Sequence, residues 1–455
     1  MAKVRKHIFR LSDLFLVLGF VPMAVFLIFG PEFMQYHDPD MVALPLYWIV
    51  PLFIVLVFSW GIYIYLELDR GNVVNKYALW VFLILMFVGV FSILSQNQDF
   101  SINTYDINGN PVTVGTTISD THLLFFTFDI IGILMFVYIG VFIFPKRFSS
   151  VWPIKIFGYL IFFLCFTLTI HSYCIETDKY YPFLKALAEC DEAGLNANQV
   201  KSIIVNPNSM GMVLLVGTVF CYINHSLSKH RWFYWLMAIY FYFSMLFTYC
   251  RTAIVIAPTL FFIYVYYVLI HTFKEHDELN SVLLVIITLI LIGSTTVVLI
   301  SILSEGQYID YFYRLYKIFM NEGSMESRIR IWNNTYQLIA QTMPMSLIVG
   351  RGFGTVNMEL LSINNFKMHL YPTHNGYLNL LAEGGFIYLF SYLLLMGYVI
   401  WTLVKNYKNN PKAVAALTLG LASFAVYSLD ETIHYFTYPF MFMIFVFHNA
   451  KKKVI

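Results

Sequence analysis

A succession of apolar stretches, each near twenty residues long and separated by polar connections, constrains this chain more than any other feature. A helix rises about 1.5 Å per residue, so about 20 such residues cross the roughly 30 Å hydrocarbon core of a bilayer. Stretches of this kind lie near 11–30, 41–66, 77–95, 122–144, 154–174 and 209–225. Six more lie near 232–249, 252–270, 281–303, 377–404, 413–429 and 434–450. They lack the alternation of barrel strands. The expected fold is therefore all-α: a polytopic membrane protein of about twelve transmembrane helices, the last two the shortest. Composition removes the soluble alternative. Hydrophobic residues make up 59% of the 455 and charged residues 12%, against roughly 25% charged in an average soluble protein. A net charge of +2 with no basic stripe also argues against a nucleic-acid binder.

The connecting charges set the sidedness. With the amino terminus in the cytoplasm, 18 of the 28 Lys and Arg fall on that side, including Lys3, Arg5, Lys6, Arg10, Lys146, Arg147, Lys405, Lys408 and the closing Lys451, Lys452 and Lys453. The outer connections 31–40, 96–121 and 430–433 contain neither residue. This is the positive-inside pattern, and it needs an even span count, which places both termini in the cytoplasm. The basic start followed by an apolar run has no small-residue cleavage site after it, so it is expected to be a retained first helix. The chain then divides into residues 1–303 (spans one to nine), 304–376 (a large extracytoplasmic loop with amphipathic helices) and 377–455 (spans ten to twelve and a basic cytoplasmic tail). No internal repeat or low-complexity tract stands out. Cys165 and Cys221 fall inside spans, where inert thiols are usual. Cys174 and Cys190 flank an outer loop, but spacing alone does not decide whether they pair.

Two outer segments are long, 175–208 and 304–376, and long ordered loops tend to carry function. In the second, Ile309, Phe312, Tyr313, Tyr316, Phe319 and Met320 repeat at helical spacing around Arg314 and Lys317, which suits a helix in the headgroup layer. A second helix is expected over 326–341, with Ile329, Trp332, Tyr336 and Ile339 on one face, ended at Thr342-Met343-Pro344 because a residue before proline avoids helical conformation. A glycine-spaced turn, Gly350-Arg351-Gly352-Phe353-Gly354, follows. No strand–helix unit surrounds it, so it is not a dinucleotide loop. Thr373-His374-Asn375-Gly376 then leads into span ten.

Several charged residues here admit two readings. Arg251, in the tight outer connection between spans seven and eight, either snorkels to lipid phosphates or binds a substrate anion. Arg328 and Arg330 stand at the start of a helix, where cations oppose the dipole. Arg351 lies between two glycines. The planar guanidinium fork suits phosphate. His374 could be a structural histidine or a general base near pH 7. His369 lies too far along for a standard helical metal pair. Glu383, about two turns into span ten, is costly in a membrane without a partner, and Arg251 is the candidate partner. Asp129 in span four raises the same question.

In order and spacing, these segments resemble the O-antigen ligase and polysaccharide polymerase superfamily. The residues that carry the resemblance are Ser327-Arg328-Ile329-Arg330-Ile331-Trp332, Pro344, Gly350-Arg351-Gly352-Phe353-Gly354, His374-Asn375-Gly376-Tyr377-Leu378 and Glu383-Gly384-Gly385. Asn206-Pro207-Asn208 and Cys250-Arg251-Thr252 are similar to two further segments, so the likeness runs from about 206 to 390. Three positions depart from the pattern. Cys250 replaces a common serine, the glycine often found beyond Glu383-Gly384 is absent around Phe386 to Leu389, and Arg351 stands where an apolar residue is usual. The resemblance implies a metal-independent membrane glycosyltransferase without a cofactor, acting on a polyprenyl-pyrophosphate-linked oligosaccharide donor and a glycan acceptor. It implies that Arg251 and Arg328 bind the pyrophosphate, joined by Arg330 and Arg351, that His374 activates the acceptor hydroxyl, and that Glu383 and Asn375 support them. The bacterial cytoplasmic membrane is the expected location, with a flippase and a chain-length regulator as candidate protein partners. A polymerase of repeat units into capsule, exopolysaccharide or O-antigen is the first expectation. A ligase transferring a finished glycan to lipid A core or protein is the second, and a lipid-linked oligosaccharide flippase the third. Transporters often show repeats and midplane charges, neither of which stands out here.

Overall fold

A computed structural model describes residues 10–35, 46–71, 99–105, 111–117, 131–148 except 133, 152–175, 207–227, 231–246, 250–272, 299–307, 323–341, 344–351, 373–407 and 411–429, with a few isolated positions between them. They form α1 (Leu11–Gln35), α2 (Leu46–Asp69), β1 (Asp99–Tyr105), β2 (Pro111–Thr117), α3 (Phe144–Arg147), α4 (Trp152–Ile175), α5 (Pro207–Leu227), α6 (Arg231–Leu246), α7 (Arg251–Thr272), α8 (Gly323–Gln341), α9 (Met345–Val349), α10 (Gly376–Asn406) and α11 (Pro411–Tyr427). A π-helical turn, Ile139–Ile143, leads into α3. Among these residues, Val50–Asp69, Trp152–Ile170 and Gly376–Asn406 are long and apolar enough to cross a membrane. Leu11–Val25, Met210–Ser226, Trp232–Leu246, Arg251–Tyr266 and Val414–Tyr427 are shorter apolar helices. The expected twelfth span, Asp129 and Cys190 lie outside the described residues.

The helical expectation has one exception. β1 and β2 pair antiparallel, Asp99 opposite Thr117 through Tyr105 opposite Pro111, inside the connection 96–121. Its cause lies in the sequence: Ser101-Ile102-Asn103-Thr104 and Val112-Thr113-Val114 alternate β-branched and polar residues about a Gly109-Asn110 turn signal.

Two compact units divide the chain. The first holds Met1–Leu160, Ser327–Asn410 and Gly420–Ile455. Here α1 and α2 approach closely at Gly19, where a Cβ would overlap the Trp60 indole, as small residues permit between membrane helices. Trp60 donates to the Leu16 carbonyl (3.2 Å) and stacks on Phe136, with centroids 5.5 Å apart. One end of this unit is fastened by charge. The Arg147 Nη2 meets both oxygens of Asp13 (2.8 and 2.9 Å), while Arg147 Nε lies 3.4 Å and Arg70 Nη1 3.0 Å from Glu67 Oε1. The Ser12 hydroxyl donates to the same Glu67 oxygen (2.8 Å). Asp13 and Glu67 are fully buried. The start of α1 and the ends of α2 and α3 therefore meet at one level.

The second unit holds Ile161–Glu326 and Pro411–Leu419. The antiparallel pair α5 and α6 packs with α7 through aromatic rings. Tyr222 stacks on Tyr264 at 4.7 Å, and His225 Nδ1 lies 3.1 Å from the Tyr264 hydroxyl. Gly217 of α5 admits Cys165 and Phe241 close to its backbone.

Candidate functional site

The first unit brings α8, α9 and the start of α10 together. In α8, Ile331, Leu338 and Ile339 are buried against Leu378 and Ala382 of α10, with Trp332 and Leu381 at the margin. Buried Thr335 turns its hydroxyl back to the Ile331 carbonyl (2.9 Å). The face buried is thus 331, 335, 338 and 339, offset from the stripe 329, 332, 336 and 339. Ile329 and Tyr336 point outward, 49% and 56% exposed. An apolar stripe read from helical spacing does not by itself say which of its residues meet protein, so the 329–332–336–339 pattern does not single out the packed face. Helix α8 also starts three residues earlier than expected, at Gly323, and α9 follows it, an element the sequence did not announce.

Next, α9 and Gly350 lie against a break in α10. Gly385 has φ 68° and ψ −175°, and Gly350 has φ 82°. These are conformations that glycine alone adopts readily. A Cβ on Gly350 would overlap the Glu383 carbonyl, and a Cβ on Gly385 would overlap the Ile348 carbonyl and the Gly350 nitrogen. The two backbones touch because neither residue has a side chain. At the break, the Ala382 carbonyl accepts from Arg351 N (2.8 Å). The Arg351 Nη1 donates to the Leu338 carbonyl (3.0 Å), one of the last four in α8, which have no partner within the helix. Arg351 therefore braces the C-terminal end of α8 against the break, a place where a cation also suits the helix dipole. Glu383 is buried at that break, 1% exposed.

The turn before α10 holds the candidate base. His374 has φ 47°, a left-handed conformation uncommon for a residue with a side chain. On one side of it, Trp332 Nε1 donates to the Thr373 carbonyl (2.9 Å). The buried Thr373 hydroxyl lies 3.1 Å from the Asn375 carbonyl and 3.3 Å from Asn379 Oδ1. On the other side, Asn375 caps α10, its Oδ1 accepting from Leu378 N (3.0 Å), the role that asparagine fills well. Gly376 N donates to the Ser428 carbonyl (2.6 Å) and the Tyr377 hydroxyl to the Ala425 carbonyl (3.0 Å). Hence the start of α10 and the end of α11 lie at one level. His374 itself is half-buried.

Arg328 is half-buried in the second turn of α8, one turn before Trp332. Arg330 belongs to the same helix. The first unit thus gathers Arg328, Arg351, His374, Asn375 and Glu383 on α8, the Gly350–Arg351 turn and the start of α10. Arg251 belongs to the second unit, where it is the first residue of α7 and half-buried. The turn before it is shaped by Thr248, whose hydroxyl donates to the Met245 carbonyl (2.8 Å) and accepts from Cys250 N (3.2 Å). Cys250 is buried, and its Cβ would stand 2.6 Å from a Cβ on Gly211. Gly211 follows Asn208 by three residues in α5, so two of the segments singled out in the sequence are neighbours in space. Among the described residues, no three His, Cys, Asp or Glu side chains form a metal-binding group. Gly352 to Gly354 and His369 lie outside the described residues.

Sequence reasoning did not foresee the parts played by Trp332, Thr373, Asn379 and Ser428, nor the bracing contact of Arg351. The available signals were a Thr directly before His374 and an amide, Asn379, early in an apolar span.

Residues 235–393 match the model of a protein family described as O-Antigen ligase, and no curated protein matches the chain. The matched stretch takes in Arg251, α8, Arg351, His374 and Glu383, and indicates a membrane glycosyltransferase of the O-antigen ligase or polymerase type.

Proposed function

We propose that this chain is a polymerase that joins polyprenyl-pyrophosphate-linked oligosaccharide repeats into a surface polysaccharide at the outer face of a bacterial cytoplasmic membrane. The observation that carries the reading is the join between α8 and the His374 turn. A helix bearing Arg328 is hydrogen-bonded through Trp332 to the residue before a histidine held in an uncommon conformation. Backbone strain of this kind collects at functional sites. In the reaction, the acceptor hydroxyl attacks the anomeric carbon of the donor as the bond from that carbon to the pyrophosphate oxygen breaks. His374 takes the hydroxyl proton. The leaving polyprenyl pyrophosphate keeps the electron pair, and its charge is met by Arg251 and Arg328, with Arg330 nearby in sequence. Fixed cations stabilise such charge without reorganising. The step is a single displacement with inversion, and it calls for no metal. Arg351 supports it by holding α8 on α10, Asn375 by capping the helix that follows His374, and Glu383 is the supporting carboxyl buried at the break in α10.

The description of the matched family favours a second reading, in which the finished glycan passes to lipid A core or protein. Both readings share the donor and the chemistry and differ in the acceptor. Purified protein given the lipid-linked repeat alone should produce a ladder of longer glycans and free polyprenyl pyrophosphate. Transfer that occurs only when a core lipid or protein acceptor is added would establish the ligase instead. A flippase and a chain-length regulator are the protein partners this reading calls for.

A further inference from the structure

We infer that Trp332 and Thr373 are positioning residues that fix the place of His374 relative to the Arg328 helix. The inference rests on the reading of His374 as the base. A histidine at φ 47° relaxes to an ordinary conformation unless its neighbours are fixed. The following side is fixed by the Asn375 cap and by the bond from Gly376 N to Ser428, both internal to the span-ten and span-eleven ends. The preceding side is fixed by one carbonyl and one hydroxyl of the same residue. The Thr373 carbonyl accepts from the Trp332 indole at 2.9 Å, and its hydroxyl, fully buried, reaches Asn375 and Asn379.

Trp332 is suited to this task by where it stands. It follows Arg328 by four residues, one helical turn, so the two share a side of α8. The flanking Ile331, Leu338 and Ile339 are locked into Leu378 and Ala382, so the indole does not swing freely. The hydrogen bond therefore converts the position of a phosphate-binding helix into the position of a base. Proximity effects are steep: a misplacement of about 1 Å can cost on the order of a hundredfold in rate.

The test separates positioning from mere stability. Trp332→Phe keeps a ring and removes the donor. It should lower kcat for transfer about tenfold to a hundredfold, while KM for the lipid-linked donor and the melting temperature stay near those of the parent protein. A kcat equal to the parent, or a loss of kcat matched by a fall in melting temperature, would overturn the inference. If Trp332→Phe does not fold, Thr373→Val and Thr373→Ser decide. The valine variant should lose kcat and the serine variant recover it, and equal kcat in the two contradicts the inference. His374→Ala is run alongside. If it keeps full activity, the base reading itself fails; if it is inactive while Trp332→Phe is normal, only the positioning role fails.

Discussion

At the scale of single residues, two glycines and one arginine show how little material holds the candidate site. Gly350 and Gly385 each take a positive φ; a Cβ on Gly350 would drive into the Glu383 carbonyl, and one on Gly385 into the Ile348 carbonyl and the Gly350 nitrogen. Gly385→Ala should destabilise the protein by on the order of 2 kcal/mol, from strain at this positive-φ, extended-ψ conformation alone, with more from overlap. Thermal unfolding in detergent should show a lowered melting temperature; an unchanged one would mean that α9 does not press on α10 as described. Arg351 holds the Leu338 carbonyl through its guanidinium and the Ala382 carbonyl through its backbone. Arg351→Ala removes only the first, and should cost about 1.5–3 kcal/mol, as a charge-assisted bond does. Its donor affinity should change less than that of Arg328→Ala, measured by binding of the lipid-linked donor. An equal loss in the two variants would put Arg351 on the pyrophosphate after all.

Elements add what residues alone do not supply. The buried side chains of Asp13, Glu67 and Arg147, with the exposed Arg70 beside them, join three helix ends. Removing one partner strands a buried charge, so Arg147→Ala should cost about 3–5 kcal/mol and show as low yield of folded protein rather than altered kcat in the molecules that survive. Normal yield and melting temperature would contradict this. The elements also mark where sequence reading succeeds. Long apolar runs gave α2, α4 and α10 because hydrocarbon length leaves little choice. The break at Gly385 was hidden because Glu383-Gly384-Gly385 resembles an ordinary small-residue patch until α9 is placed against it. The packed face of α8 was not legible because Ile329 and Tyr336 are as apolar as the residues that pack. The hairpin at Asp99–Thr117 was not legible because its polar alternation is short beside the span-length apolar runs on either side.

For the molecule as a whole, sorting of charge and gathering of polar residues point the same way. His374 and Asn375 were legible as a pair in the sequence because they stand at the mouth of a span. The neighbours that hold them, Trp332 and Ser428, were not, since they come from segments forty-two residues before and fifty-four residues after His374, and such contacts exist only in the fold. Arg251 carries the same charge logic in the second unit. Arg251→Ala should weaken donor binding at least tenfold, as loss of a charge-assisted pair on phosphate does at about 1.5–3 kcal/mol, while acceptor binding stays unchanged. Unaltered donor binding would remove it from the pyrophosphate. The central claim, that His374 serves as the base in a glycosyl transfer from a lipid pyrophosphate, is tested most directly by release of free polyprenyl pyrophosphate from purified His374→Ala protein supplied with donor and acceptor. The account predicts that donor still binds while release and glycan elongation fall to background; release and elongation at the parent rate would contradict it.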